Sequence, residues 1–363
     1  MHVTKRGGGL AEFDVEKIHK VVQWATNGIN GVSFSDIVMN ANLSIYDKIE
    51  TSDIHKLIIK SANDLISEAA PSYQYVASRL LNMALRKDVW GSGNAPRLYD
   101  FITKRVELGI YDPFILDKWT EQEIDKIQTF IHHSRDDLFT YAGLQQLIDK
   151  YLVKNRSTSE LYETPQFAYI LIAMCLFDDT KQVKSAYEAY STFKINLPTP
   201  IMAGVRTITK QFASCVLVDV DDDLDSIFAS VHAVGRYTAK RAGIGLNIGR
   251  MRPINSPIRG GEVIHTGLIP YLKNFESAVK STSQNGLRGG SATVHVPFWH
   301  YEIEDILVLK NNAGTDDNRV RKLDYSIQFS YLFYDRLVKN EDITLFSPDE
   351  CKGLYDTFGD NEK

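Results

Sequence analysis

The sequence predicts an α/β protein in which helical regions precede a sheet of parallel strands. Helical periodicity dominates from residue 15 to residue 193, whereas strands and helices alternate strictly after residue 212. Glycine-rich turns that carry arginines separate the later elements. A chain of 363 residues exceeds what one hydrophobic core usually holds, so we expect two or three domains.

Composition is typical of a soluble globular protein. Hydrophobic residues make up 44%, charged residues 24%, and the net charge of -5 gives no general attraction to DNA or to an anionic membrane. The sequence has no apolar run long enough to span a bilayer and no secretory leader. Its three cysteines, Cys175, Cys215 and Cys351, offer no obvious pair for Cys215, which favours a reducing cytoplasm.

Residues 1–95 are predicted to form a small module. Short strands flank Gly7-Gly8-Gly9, and helices follow over residues 15–25, 33–47, 52–67 and 73–88. One interpretation is a helical bundle with a hairpin lid. In the other, Lys5, Lys17 and Lys87 converge on a polyphosphate, because ammonium groups beside helix starts attract anions.

Residues 96–210 are predicted to be helical and connective. Helices are expected over residues 98–108, 121–132, 140–154 and 165–193. Two prolines in Leu197-Pro-Thr-Pro-Ile201 disfavour helix, so we expect Thr199 in an extended segment.

In residues 211–363, predicted strands alternate with predicted helices. Five strands are predicted, over residues 213–219, 244–249, 292–296, 325–329 and 343–346. Helices are predicted between them, over residues 225–241, 268–283, 301–310 and 331–339. This alternation favours parallel strands whose functional groups collect at their carboxyl ends. Five units are too few to close an eight-fold barrel and would form an open sheet or half of something larger.

Anion chemistry is concentrated in the loops after these strands. Asp219 to Asp223 precede a helix, and Arg250, Arg252, Arg259 and Arg288 lie in later loops beside paired glycines. The forked guanidinium groups of arginines match phosphate oxygens, so one interpretation of these loops is a nucleotide-binding site. The alternative is a solvated acidic turn with scattered surface arginines. Gly243, Gly245 and Gly249 have the wrong spacing for a dinucleotide fingerprint.

Cys215 lies on a predicted strand, in Gln211-Phe-Ala-Ser-Cys215. Alternation places Ala213, Cys215 and Leu217 on one face, which is either a core or a pocket floor. A lone cysteine on such a face is usually an inert small hydrophobe.

Six segments of the chain match one family in order: Thr192 to Met202, Gln211 to Cys215, Arg241 to Gly245, Ser256 to Glu262, Arg288 to Thr293 and Val308 to Asn312. Together they resemble the large, catalytic subunit of class I ribonucleoside-diphosphate reductase. The resemblance runs from about residue 3 to about residue 356. It implies an ATP-cone over residues 1–95, a helical region over residues 96–210, and the first half of a ten-stranded α/β barrel over residues 211–363.

The resemblance also implies residue roles. Cys215 matches one of two redox cysteines that form a disulfide as the ribose 2′-hydroxyl leaves as water. Matches to the substrate site are Thr199, Ser214 and Gly243. Matches to the allosteric specificity site are Asp222, Asp223, Leu224, Arg252, Arg259, Gln284 and Arg288. Matches to the ATP-cone pocket are Lys5, Ala11, Glu12, Phe13, Asp14, Val15, Glu16, Lys17, Thr51, His55 and Lys87.

The resemblance implies no tightly bound cofactor or metal on this chain. Its effectors would be ATP and deoxynucleoside triphosphates with Mg, its radical would come from a di-iron small subunit, and its reductant would be a thioredoxin or glutaredoxin. Expected partners are that small subunit, a second copy of the large subunit, and nucleotides. The product would be 2′-deoxyribonucleoside diphosphates for DNA synthesis.

Three departures from the family pattern matter. Ala84 stands where the family often has histidine, so we expect weak or absent inhibition by dATP, and Asp223 stands where the family often has serine. The motif that carries the thiyl-radical cysteine is not found. We therefore expect one part of a split subunit, active only with a separate carboxyl-terminal half. One alternative is a regulatory nucleotide-binding protein without a catalytic role, and another is a chain shortened by truncation.

Overall fold

The computed structural model describes residues 1–5, 7–42, 45–155, 157–282 and 290–357. The chain forms two compact units, residues 1–212 and residues 213–363, called here the amino-terminal and the carboxyl-terminal unit. The predicted site residues Gln284 and Arg288 lie outside the described residues. Within the described ranges, no helix combines the length and the apolarity needed to cross a membrane.

The amino-terminal unit begins with a hairpin and four helices. Strands β1 (His2–Thr4) and β2 (Leu10–Glu12) pair antiparallel around the glycine turn. Helices α1 (Val15–Thr26), α2 (Phe34–Asn42), α3 (Thr51–Asp64) and α4 (Tyr73–Trp90) follow. Their apolar faces enclose one core, as the three-to-four spacing predicts. Asp14 caps α1 by accepting a hydrogen bond from the Glu16 backbone N–H at 3.0 Å.

A second helical layer completes this unit. Its members are α5 (Leu98–Glu107), α6 (Phe114–Lys118), α7 (Glu121–Gln128), α8 (Tyr141–Lys150), α9 (Pro165–Leu176), α10 (Thr180–Ser191) and α11 (Thr199–Gly204). Helix α9 is apolar around most of its circumference and forms the centre of the core. The predicted helix over residues 165–193 is two helices, α9 and α10, with a break at residues 177–179.

The carboxyl-terminal unit contains a parallel sheet of four strands. These are β3 (Cys215–Asp219), β4 (Gly243–Asn247), β7 (Ala292–Pro297) and β8 (Asp324–Gln328), which lie side by side in that order. Strands β5 (Pro257–Ile258) and β6 (Val263–Ile264) form a separate small hairpin. Helices α12 (Leu224–Ala239) and α13 (Leu268–Thr282) pack on the sheet and on each other. Helices α14 (Ile303–Leu307), α15 (Tyr331–Lys339) and α16 (Lys352–Asp356) are shorter.

A partial α/β barrel is confirmed, but two details of the prediction are wrong. The predicted strand over residues 343–346 is a single bridge between Phe346 and His300, because among these described residues only Phe346 forms backbone hydrogen bonds there, with Trp299 and Tyr301 in the turn after β7. Thr199 is not extended: it is the first residue of α11. Proline is tolerated in the first turn of a helix, where its missing N–H costs no hydrogen bond, so Pro200 does not prevent the helix.

Candidate functional site

Cys215 is the first residue of β3 and lies beside Gly243 of β4. The backbone N–H of Gly243 donates to the carbonyl of Ser214 at 2.9 Å, and the Ser214 hydroxyl oxygen lies 3.6 Å from the Cys215 sulfur. The structure thus brings together three predicted site residues at the amino ends of two neighbouring strands. Cys215 is exposed, and Leu217 on the same face is 83% exposed, so this face is an open surface and not a core.

The acidic and arginine residues lie at the other end of the same strands. Asp219 is the last residue of β3, four residues after Cys215, which at about 3.3 Å per residue separates the two groups by about 13 Å. The acidic and arginine residues therefore lie at the carboxyl ends of the strands, as expected for functional groups, whereas Cys215 lies at the amino end. Two distinct sites can operate on one sheet.

Asp222 and Arg252 form the centre of the strand-end site. The Asp222 carboxylate accepts hydrogen bonds from the Arg252 backbone N–H at 2.9 Å and from its Nε at 2.8 Å. The hydrogen bond that the Arg252 guanidinium donates to Asp222 raises the pKa of the guanidinium, against the opposing effect of burial. Glu302, which is buried, accepts from the Ile254 backbone N–H at 2.9 Å and so fixes the loop that carries Arg252.

A cavity of about 470 Å³, the strand-end cavity, opens beside this pair. Its walls include the predicted residues Asp222, Asp223 and Arg252. Asp223 also caps α12, because its carboxylate accepts from the Ser226 backbone N–H at 2.8 Å. Leu224 and Arg259 are not among the lining residues, and both are exposed. The rest of the wall comes from Asp221, from Arg250 and from residues 348–356, which the sequence did not indicate as part of a site.

A second cavity, of about 230 Å³, lies in the amino-terminal unit between the hairpin, α1, α3 and α4; it is called here the hairpin cavity. Its lining contains these predicted residues: Lys5, Ala11, Glu12, Phe13, Asp14, Lys17, Thr51, His55 and Lys87. Val15 and Glu16 are not among them. Three lysines therefore face one space, as the polyphosphate interpretation requires.

The floor of the hairpin cavity is apolar and was not predicted. It is lined by Val3, Ile18, Val21, Ile54 and Ile58. The available signal was the apolar spacing of α1 and α3, which does not distinguish the floor of a cavity from a core. His55 is buried, and its Nε2 lies 2.8 Å from the Leu80 carbonyl, which ties α3 to α4. A planar base would fit the apolar side while phosphates meet the lysines.

A buried ion pair between Arg206 and Glu163 lies just after α11, the helix that begins with Thr199. Arg206 follows α11, and its Nη1 donates to the Met202 carbonyl at 2.6 Å. Its Nε donates to the Glu163 carboxylate at 2.8 Å, and Tyr111 donates to the same carboxylate at 2.8 Å. Burial raises the pKa of Tyr111 well above its ordinary value, so the phenol remains a donor.

Three family models match consecutive parts of the chain. An ATP cone domain matches residues 1–88, a ribonucleotide reductase all-alpha domain matches residues 137–209, and a ribonucleotide reductase barrel domain matches residues 213–363. These models follow one another in chain order, and the last two divide the chain near the boundary between the two structural units.

Curated relatives agree along nearly the whole chain. The ribonucleoside-diphosphate reductase 1 subunit alpha of Escherichia coli is 53% identical over 98% of this chain and 48% of its own length. The alpha subunit of Buchnera aphidicola subsp. Baizongia pistaciae is 49% identical over 100% of this chain and 48% of its own. That of Enterobacteria phage T4 is 46% identical over 100% of this chain and 49% of its own. The chain thus spans about half the length of the curated relatives it matches.

Proposed function

The chain belongs to the family of ribonucleotide reductase large (alpha) subunits, and on that premise we propose that it supplies the effector sites and one redox thiol of a ribonucleoside-diphosphate reductase. The observation that carries the proposal is the exposed Cys215 beside Ser214 and Gly243 at the start of β3. A thiol that must meet a sugar has to be accessible, whereas a structural cysteine is usually buried.

The proposed reaction replaces the ribose C2′–OH bond by C2′–H. The hydroxyl leaves as water, and two thiols lose two protons and two electrons as they close to a disulfide. Cys215 supplies one of these thiols. We propose that the second thiol and the radical cysteine lie in a second barrel half, and that a di-iron small subunit generates the radical. The disulfide is reduced again by a thioredoxin or glutaredoxin, which suits a reducing cytoplasm.

Substrate binding is assigned to Thr199, Ser214 and Gly243. A threonine hydroxyl and the N–H groups of a helix start are donors suited to a diphosphate, and Gly243 lets the ribose approach the backbone. Effectors are assigned to the two cavities: ATP to the hairpin cavity, and deoxynucleoside triphosphates as magnesium complexes to the strand-end cavity.

The sheet supports the need for a second barrel half. Strands β3 and β8 are the outer strands of the described sheet, and the exposed Leu217 lies on its open face. Every residue of α15 is also at least partly exposed, and Val338 is 87% exposed. Exposed strand edges and apolar surfaces of this kind favour association. We propose that the second half covers them, whichever polypeptide carries it, and that two copies of the large subunit associate.

Reconstitution tests the proposal. The chain, a polypeptide with the second barrel half and the small subunit are combined, and reduction of a ribonucleoside diphosphate is measured. We expect turnover that Cys215→Ser abolishes and that Cys351→Ser leaves unchanged. Full turnover in Cys215→Ser would refute the catalytic role and favour a regulatory nucleotide-binding protein.

A further inference from the structure

One wall of the strand-end cavity is formed by residues that were not predicted to belong to any site. Residues 347–356, called here the closing segment, cross the carboxyl ends of β3 and β4 and contribute Pro348, Asp349, Lys352, Tyr355 and Asp356 to the lining. These residues lie about a hundred positions after the aspartates and arginines that face them, so the segment is brought there by tertiary structure alone.

Tyr355 holds the closing segment against the strand ends. Its hydroxyl hydrogen-bonds with the side-chain amide of Asn247 and lies 3.2 Å from the Asp219 carboxylate. Gly249 leaves room for the ring, because a Cβ there would approach Tyr355 to 2.9 Å. Tyr355 of the closing segment thus packs closely against Gly249, and its hydroxyl contacts the last residues of β3 and β4.

The two arginines of the cavity are already paired within the fold. Arg252 binds Asp222 through Nε at 2.8 Å and Nη2 at 2.7 Å. Arg250 binds Asp356 at 2.9 Å, lies 3.6 Å from Asp219, and stacks on the Tyr355 ring with its guanidinium carbon 4.2 Å from the centroid. Carboxylates thus offset much of the positive charge that these arginines would present to a phosphate.

Lys352 differs from both arginines. It is exposed at the rim of the strand-end cavity, and in the described part of the chain its ammonium group has no hydrogen bond or ion pair. Among the cations that line this cavity it alone, within the described residues, has all three donors available. A polyanion that enters therefore meets its strongest uncompensated attraction at Lys352.

We propose that Lys352 binds the polyphosphate of the effector in the strand-end cavity, with the closing segment as the wall that presents it. This inference rests on the proposed function, because it takes the ligand of the cavity to be a deoxynucleoside triphosphate. A flexible ammonium with three donors suits a phosphate chain whose position is fixed by neighbouring groups. Tyr355 acts as a positioning residue, since it holds both Arg250 and the segment.

Binding of dTTP to the assembled enzyme tests the proposal. Every sample carries Lys87→Ala to suppress binding in the hairpin cavity, and the dissociation constant is measured by titration calorimetry. We expect Lys352→Gln to weaken binding about tenfold, the usual effect of losing one charge-assisted hydrogen bond, and Lys352→Arg to retain most of the affinity. Added salt should weaken binding more in the wild type than in Lys352→Gln, because salt screens the ammonium charge.

Two further variants make the outcomes distinct. Lys322→Gln removes an exposed lysine near the opposite end of the sheet and should leave binding unchanged. Arg252→Gln should weaken binding if the cavity is the effector site at all. Weak binding by Arg252→Gln with wild-type binding by Lys352→Gln would overturn this inference and leave the proposed function intact. Wild-type binding by both variants would overturn the inference together with the proposed specificity site.

Discussion

Arg206 and Glu163 form an ion pair in which both side chains are completely buried. The Arg206 Nε donates to the Glu163 carboxylate at 2.8 Å, and the remaining donors of Arg206 reach the carbonyls of Met202 and Tyr151. The pair joins the end of α11, and hence Thr199, to the strand-like segment before α9. A buried pair of this kind fixes geometry more than it adds stability, but losing one partner leaves the other charge unpaired.

Glu163→Gln is therefore predicted to lower the free energy of unfolding by about 3–5 kcal/mol, because it leaves the Arg206 guanidinium buried without its carboxylate. Urea denaturation followed by circular dichroism measures the change. Glu160→Gln is the matched control, since Glu160 is exposed nearby and its loss should change stability by less than about 0.5 kcal/mol. Equal stabilities of the two variants would contradict the prediction.

The cysteines are predicted to differ in reactivity. Burial raises the pKa of the Cys175 thiol to about 12, so almost none of it is thiolate at pH 8, whereas Cys215 is exposed. Brief treatment of the full chain with iodoacetamide, followed by peptide mass analysis, should show alkylation at Cys215 and none at Cys175. Cys175 should react only after denaturation. Cys175 is partly buried against the core, and equal alkylation of the two in the native chain would show that its surroundings do not suppress the thiolate.

Sequence patterns predicted the features that depend on the spacing of residues close together along the chain. Alternation along β3 placed Cys215 and Leu217 on one face, and helical spacing enclosed the amino-terminal core. The contacts that close the strand-end cavity were missed, because Tyr355 meets Asn247 across 108 positions and no local pattern encodes that distance. The predicted strand over residues 343–346 failed for a related reason: strand propensity is not enough without a partner strand.

Residues at loop ends also needed the structure. The resemblance assigns Leu224, Arg259, Val15 and Glu16 to effector sites, yet none of them lines its expected cavity. Motif matching identifies positions along the chain, whereas the lining of a cavity depends on side-chain direction. Their roles therefore stay predictions.

His133 is predicted to make stability fall in mild acid. Burial, with a smaller contribution from the Arg86 charge, lowers its pKa to about 4, so the folded chain keeps it neutral where the unfolded chain protonates it near 6.5. Its stabilising effect is complete above pH 6.5 and is lost as the pH falls towards 4, by roughly 1–3 kcal/mol. Unfolding free energies of wild type and His133→Phe are measured from pH 7.5 to pH 4.5, and the wild type should lose stability relative to His133→Phe as the pH falls.

The buried carboxyl of Asp136 also contributes to the pH dependence of stability. Asp136 is buried beside His133, and burial raises the pKa of its carboxyl, so its own contribution runs in the opposite direction. Comparing wild type with His133→Phe at each pH removes that shared background. His132→Phe is the matched control, because His132 is exposed, and its difference from the wild type should vary little with pH. A constant difference for His133→Phe would refute the prediction.

Inhibition by dATP is predicted to be weak, and one substitution should strengthen it. Ala84 lies on α4 one turn before Lys87, packs against the core of its module, and is not among the residues that line the hairpin cavity. An alanine offers no donor to an adenine nucleotide, whereas a histidine at this position shares the helix face of Lys87. Titration of dATP into the assembled enzyme should inhibit Ala84→His at lower concentration than the wild type. Adding Lys87→Ala should remove the gain, since it deletes a phosphate-binding ammonium. Strong inhibition of the wild-type enzyme at low dATP would show that the hairpin cavity reads the nucleotide without that imidazole.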